Sequence, residues 1–106
     1  MTPSVSAPEL VDVETVAVLR QRWLAGGLPA RRLAAAVRDL EKLAIDRYAT
    51  LRLMWRGYEL RDSVTAYDAA YVALAEVLDC PLVTADARPA SAPGVRCEVE
   101  LVERPG

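Results

Sequence analysis

The stretch that decides the fold reads TAYDAAYVALA at residues 65–75 and is followed by PLVTAD at residues 81–86. The first part predicts a nearly all-apolar helix with Asp68 in its first turn. The second predicts a short buried strand, with Asp86 just past its end. A carboxylate against an apolar wall needs a partner or a cation, so the two acidic residues indicate a site that a divalent metal would suit.

Both acidic residues also have a purely structural interpretation. Thr65 and Asp68 have the spacing of a capping box, which would stabilise the start of the helix. Asp86 could cap the turn that follows the strand. Spacing alone leaves both interpretations open at each position.

Composition excludes several classes of function. The chain has 106 residues, 53% hydrophobic, which fits one compact domain spanning 1–106. A net charge of -2 argues against bulk electrostatic coating of nucleic acid, and the absence of His excludes imidazole bases and ligands. Cys80 and Cys97 form no CxxC motif, so we expect reduced, buried thiols rather than a zinc site or a disulfide. We see no signal peptide and no apolar stretch of about 20 residues, so we expect a soluble, cytoplasmic protein without membrane contact.

Periodicity predicts an alternation of helices and strands. The spacing of Ser6 and Glu9 indicates a capping box that starts the first helix, and Pro89 should shorten any helix begun after Asp86. We predict helices near 8–24, 29–42, 50–60 and 65–78, and strands near 43–47, 81–84 and 97–101. The predicted apolar stripes are Leu10, Val13, Ala17 and Leu24 on the first helix, Leu33, Ala36, Val37, Leu40 and Leu43 on the second, and Leu51, Met54, Trp55 and Tyr58 on the third. The fold class is therefore α/β, a parallel sheet sandwiched by helices, with residues 103–106 as a flexible tail.

Residues 60–75 together with 81–86 resemble the C-terminal half of a VapC-type toxin, a PIN-domain ribonuclease. Residues 7–14, APELVDVE, are similar to the second strand and following helix of that family. The resemblance implies a Mg²⁺- or Mn²⁺-dependent endoribonuclease toxin of a type II toxin–antitoxin pair. It implies an RNA substrate, an antitoxin protein as partner and a homodimer. The catalytic and metal-binding residues would be Glu14, Asp68 and Asp86.

The chain departs from the family pattern at its start. Family members open with a buried strand that ends in Asp, and we expect this central strand to be missing between a strand near Val5 and the strand at Leu82. The alternative function is therefore a catalytically dead PIN remnant that acts as an antitoxin-binding or dimerisation module. Glu14 could instead lie on a solvated helix face, with Asp12 as the reserve ligand. We expect the aromatic residues to be core or partner-interface residues rather than platforms for RNA bases: Trp23, Trp55, Tyr58, Tyr67 and Tyr71.

Overall fold

The computed structural model describes residues 5–103. Residues 104–106, most of the predicted flexible tail, lie outside the described residues. The chain forms two compact units that divide between Tyr48 and Ala49. Each unit contains helices and one two-stranded parallel sheet.

The first unit has the order strand, helix, helix, strand. Strand β1 spans Val5–Pro8, helix α1 Leu10–Leu24, helix α2 Ala30–Lys42 and strand β2 Ile45–Tyr48. The strands pair in parallel with Val5 opposite Ile45 and Pro8 opposite Tyr48. The chain turns after α1 at Gly26, whose φ of 84° lies in the left-handed region. Glycine adopts this conformation without steric cost because it has no Cβ.

The predicted capping box at Ser6 is wrong. Ser6 lies inside β1, and α1 begins at Leu10 with Glu9 at its N-cap and without a side-chain capping hydrogen bond. The Glu9 backbone N–H donates to the Tyr48 carbonyl oxygen at 2.8 Å. The Glu9 backbone N–H is therefore bonded to the neighbouring strand, and not to the Ser6 side chain as a capping box would require.

The predicted apolar stripe of α1 is also wrong as a buried face. Neither α1 nor α2 contains a buried residue, and Val13 and Leu24 are exposed. On α2, Leu33, Ala36 and Leu40 are half-buried, whereas Val37 and Leu43 are exposed. Among residues 5–48, the buried ones are Ala7 and Pro8 in β1.

The second unit is built around one long apolar helix. A 3₁₀ turn at Leu51–Leu53 leads into the short helix α3, Met54–Glu59, and α4 spans Ala66–Leu78. Strand β3, Leu82–Thr84, pairs in parallel with β4, Val99–Leu101, and Leu82 lies opposite Val99. Between them, α5 covers only Arg88–Ser91; Pro89 lies in its first turn, where no backbone donor is needed.

Two apolar clusters centre on α4. The first contains Leu60, Val64, Ala69 and Val72, and the second contains Leu53, Ala73 and Leu74. Gly57 lets α3 approach α4, since a Cβ at Gly57 would lie 3.7 Å from the Ala69 Cβ. The predicted face of the 50–60 helix is wrong for three of its four residues: Leu51, Trp55 and Tyr58 are exposed, whereas Met54 is half-buried against the second cluster. The buried residues of this segment are Leu53, Gly57 and Leu60.

Both sheets confirm the predicted parallel pairing and the α/β class. Among the described strands, β1 pairs with β2 and β3 pairs with β4. The missing central strand and the single-domain organisation stay predictions. No helix within residues 5–103 is long and apolar enough to cross a bilayer.

Candidate active site

Asp68 lies in the first turn of α4, as the sequence predicts. Thr65 is the N-cap residue, and its Oγ1 accepts a hydrogen bond from the Asp68 N–H at 3.1 Å. The backbone of Asp68 therefore takes part in capping, while its half-buried side chain stands at the positive end of the helix. Capping and a chemical role are compatible here, since they use different atoms of the residue.

Asp86 lies just past the end of β3. Its N–H donates to Thr84 Oγ1 at 3.0 Å, and its Oδ1 accepts from the Arg88 N–H at 2.9 Å. This carboxylate therefore closes the turn that leads to α5, whereas the N-cap of α5 is Ala87, without a side-chain capping hydrogen bond, so the predicted N-cap role of Asp86 is wrong. The same turn fixes the carboxylate at the C-terminal end of a parallel strand, where open α/β sheets bind their ligands.

Arg88 is the residue that the sequence analysis missed. Its Nε donates to both carboxylate oxygens of Asp86, at 3.0 and 2.9 Å, and its Nη2 donates to Oδ2 at 2.5 Å. This hydrogen bonding, followed by the charges of Asp86 and Asp68, raises the pKa of the Arg88 guanidinium. The only sequence signal was an Arg two residues after a turn-forming Asp.

The structure brings Asp68 and the end of β3 to one region of the second unit. Asp68 lines a cleft of about 170 Å³ together with Tyr71, Thr84 and Pro89. It also lines a smaller cleft together with Thr65 and Arg88. Because Arg88 binds Asp86 and is attracted by Asp68, both carboxylates act on the same guanidinium. The 81% exposure of the Arg88 side chain leaves this region open to solvent.

The other predicted ligands lie in the first unit. Glu14 is half-buried on α1. Asp12, the reserve ligand, is held by Arg47, whose Nε and Nη2 donate to its two oxygens at 2.7 and 2.9 Å. Arg47 also donates to the carbonyl oxygens of Leu40 and Ile45, so this pair joins α1, α2 and β2 and has a structural role. Within either unit, as far as residues 5–103 go, no three acidic, Cys or His side chains cluster as metal ligands would.

A second network, also not predicted from the sequence, consists of hydrogen bonds to Glu76 on α4. Glu76 accepts from Arg56 Nε at 2.7 Å, from Arg56 Nη2 at 3.1 Å and from the Arg96 N–H at 2.8 Å. Burial by itself raises the pKa of the Glu76 carboxyl, but the hydrogen bonds from Arg56 and Arg96 outweigh it and the pKa is lowered. Arg56 further donates to the Gly94 carbonyl oxygen, which ties α3, α4 and the 94–96 loop together.

The cysteines and aromatic residues differ from expectation in part. Cys80 and Cys97 are free thiols; Cys97 is half-buried, but Cys80 is exposed rather than buried. Trp23, Trp55, Tyr58 and Tyr67 are exposed as well, so they are not core residues, and Tyr71 is half-buried.

Comparison with known proteins identifies the family. The profile of the PIN domain matches residues 3–95. The chain belongs to the VapC-type PIN-domain family. Ribonuclease VapC1 of Mycobacterium tuberculosis is 44% identical over 98 residues, covering 92% of this chain and 74% of the relative. Ribonuclease VapC9 of the same organism is 42% identical over 100 residues, covering 92% of this chain and 76% of the relative. Ribonuclease VapC12 is 36% identical over 99 residues, covering 93% of this chain and 77% of the relative.

Membership of the PIN-domain family confirms the resemblance inferred from residues 60–75 and 81–86. The matched region includes Glu14, Asp68 and Asp86. Their roles as ligands stay predictions.

Proposed function

We propose that this protein is a metal-dependent endoribonuclease, the toxin of a type II toxin–antitoxin pair that acts in the cytoplasm. Similarity to relatives named VapC ribonucleases over 92% of the chain carries the proposal. The convergence of Asp68 and Asp86 on Arg88 in the second unit supports it. Its partners would be an RNA substrate, a cognate antitoxin protein and a second copy of the chain.

The donor atoms of the candidate site fit a hard divalent cation. Asp68 and Asp86 offer carboxylate oxygens, which Mg²⁺ and Mn²⁺ prefer. The Arg88 guanidinium serves Asp86 as a counter-cation through both carboxylate oxygens. A bound divalent ion would compete with Arg88 for these oxygens.

The residues around the candidate site have separate tasks in the proposed reaction. Thr65 and the first turn of α4 hold Asp68, and Thr84 holds the turn that presents Asp86. Arg88, when it turns away from Asp86, can bind two oxygens of an RNA phosphate through two parallel hydrogen bonds. A divalent ion at the carboxylates would supply an activated water and stabilise negative charge on the scissile phosphate.

Substitution of the carboxylates tests this function. Asp68→Asn and Asp86→Asn keep the side-chain shape and remove the charge, so each should reduce cleavage of single-stranded RNA in Mg²⁺ or Mn²⁺ by about a hundredfold or more. Calorimetric titration with Mn²⁺ should show a parallel loss of metal affinity. The matched control is Asp39→Asn, which changes an exposed carboxylate on α2 and should leave both measurements unchanged. Full cleavage by the Asp68 and Asp86 variants would refute the proposed catalytic role.

One observation favours a second candidate function. Asp86 is engaged by Arg88 through three side-chain contacts, so its charge is already neutralised within the chain. The alternative is a catalytically inactive PIN protein that acts as an antitoxin-binding or dimerisation module. The same titration separates the two, because such a module would bind its antitoxin with unchanged affinity in Asp68→Asn and would bind no Mn²⁺.

A further inference from the structure

An aromatic stripe lies exposed on the second unit, outside the clefts lined by Asp68. Trp55 and Tyr58 on α3 are 71% and 53% exposed. Their rings stack with centroids 5.0 Å apart and an interplanar angle of 22°. A separation of three residues puts both on one face of the helix.

Arg61, three residues further on, extends the stripe. Its Cζ lies 4.3 Å from the centroid of the Tyr58 ring, and its Nη1 donates to the Tyr58 carbonyl oxygen at 3.0 Å. This hydrogen bond holds the guanidinium over the ring. Trp55, Tyr58 and Arg61 therefore form a row of three planar groups, which we call the stacking platform.

We propose that the stacking platform is a subsite for single-stranded RNA, on which an unpaired base stacks against Trp55 while Arg61 binds the sugar–phosphate backbone. The proposal rests on the proposed function. Proteins that bind single strands use exposed aromatic rings for the bases and Arg for stacking and phosphate contact. Such stacking needs no particular base, because every base has a π face.

The charged groups near the platform are of both signs. Arg52 and Arg61 are exposed along this segment, as are Glu59 and Asp62, and Glu59 lies 3.6 Å from Arg56 in an ion pair. The Arg61 guanidinium over the Tyr58 ring places one positive charge in the aromatic row itself, which complements planar bases on an anionic backbone.

The position of the platform also suits a longer RNA strand. Arg61 begins the turn that leads through Ser63 to Thr65, and both of these residues line the small cleft with Asp68 and Arg88. A strand that stacks on Trp55 could therefore pass Arg61 and continue toward Asp68 within the same unit.

Fluorescence of Trp55 tests the proposal directly. The chain has two tryptophans, so Trp23→Phe leaves Trp55 as the single reporter. Titration of this variant with a short oligouridylate in EDTA, which prevents metal-dependent cleavage, should quench the emission. Trp55→Ala and Tyr58→Ala should each weaken RNA affinity by about five- to a hundredfold, and Trp55→Phe should restore part of it. Arg61→Lys keeps the charge but loses the planar group, so its affinity should lie between those of wild type and Arg61→Ala.

Leu51 supplies the matched control. It is 84% exposed on the same segment but has no π face, so Leu51→Ser should leave RNA affinity unchanged. Unchanged RNA affinity in Trp55→Ala and Tyr58→Ala would overturn the proposal. Sedimentation tests a protein interface instead. If Trp55→Ala and Leu51→Ser both lose self-association while RNA affinity is unchanged, the surface is an interface between copies of the chain and the RNA subsite is refuted. Quenching in EDTA by a protein that cuts no RNA in Mn²⁺ would uphold the subsite and refute the nuclease, so the two proposals fail separately.

Discussion

Asp86 combines two roles at the scale of a single residue. Its carboxylate closes the turn into α5 by accepting the Arg88 N–H, and it binds the Arg88 guanidinium through both oxygens. A carboxylate that closes a turn retains lone pairs after its backbone contact, so a structural role does not prevent a chemical one. The turn-closing contact and the metal-binding interpretation of Asp86 are therefore not exclusive.

The two cysteines differ in environment although both line one open cavity of about 560 Å³ beside the C-terminal end of α4. Burial, reinforced by the nearby Glu76 and Cys80, raises the pKa of the Cys97 thiol. A raised pKa lowers the thiolate fraction at any pH below it, and the thiolate is the form that reacts.

We therefore predict that iodoacetamide modifies Cys80 several-fold faster than Cys97 at pH 8 in the native protein. The rate at Cys97 should keep rising as the pH increases beyond the ordinary thiol value of 9.0. Mass spectrometry of timed samples measures both rates. In guanidinium-unfolded protein the two rates should converge, and faster native modification of Cys97 would contradict the prediction.

At the scale of elements, α3 and α4 are joined by apolar contacts and by the ion pair of Arg56 with Glu76. The lowered pKa of Glu76 means that the folded state favours its charged form. This contribution to stability is present above the ordinary value of 4.5 and is lost as the pH falls through the lower, folded-state pKa.

Glu76→Gln should therefore lower the free energy of unfolding by about 1.5 to 3 kcal/mol at neutral pH. The difference from wild type should shrink as the pH falls from 4.5 through the lower folded-state pKa, where Glu76 in the folded wild-type protein also becomes protonated. Urea unfolding at several pH values measures it. Glu59→Gln is the control on the same Arg56: its contact is longer and more exposed, so about 0.5 kcal/mol or less should be lost. A pH-independent deficit in Glu76→Gln would point to packing rather than charge.

At the scale of the whole molecule, burial is distributed unevenly. Six residues of α4 are buried, whereas α1 and α2 contain none. Amide hydrogens in elements with few buried contacts exchange through local openings, and those in the core require larger unfolding.

We predict that hydrogen exchange is slowest in α4 and at least about tenfold faster in α1 and α2 after correction for intrinsic rates. Exchange followed by mass spectrometry of peptic fragments measures this. Equal protection of α1 and α4 would show that the burial of the helices does not set local stability.

The sequence by itself determined the helix at 65–78, the strand at 81–84 and the positions of Asp68 and Asp86. These features depend on short-range signals: an unbroken apolar run, a Thr cap and turn residues directly after a strand. The resemblance to the VapC-type family was inferred from residues 60–75 and 81–86, which include these features, and the family is confirmed. The roles of Glu14, Asp68 and Asp86 as ligands stay predictions.

Only the tertiary structure decided which apolar faces are buried and which charges pair. Ser6 lies in a strand rather than a helix cap because β1 pairs with β2, a partner 40 residues away. Hydrophobicity alone would predict that the aromatic face of α3 is buried. Trp55 and Tyr58 are exposed because the buried contacts are made by Gly57 on the helix and by Leu60 directly after it. The ion pairs of Arg88 with Asp86 and of Arg56 with Glu76 could not be predicted from the sequence. The chain has many arginines, and the one that pairs with a given carboxylate is decided by its position in the fold, not by its residue type.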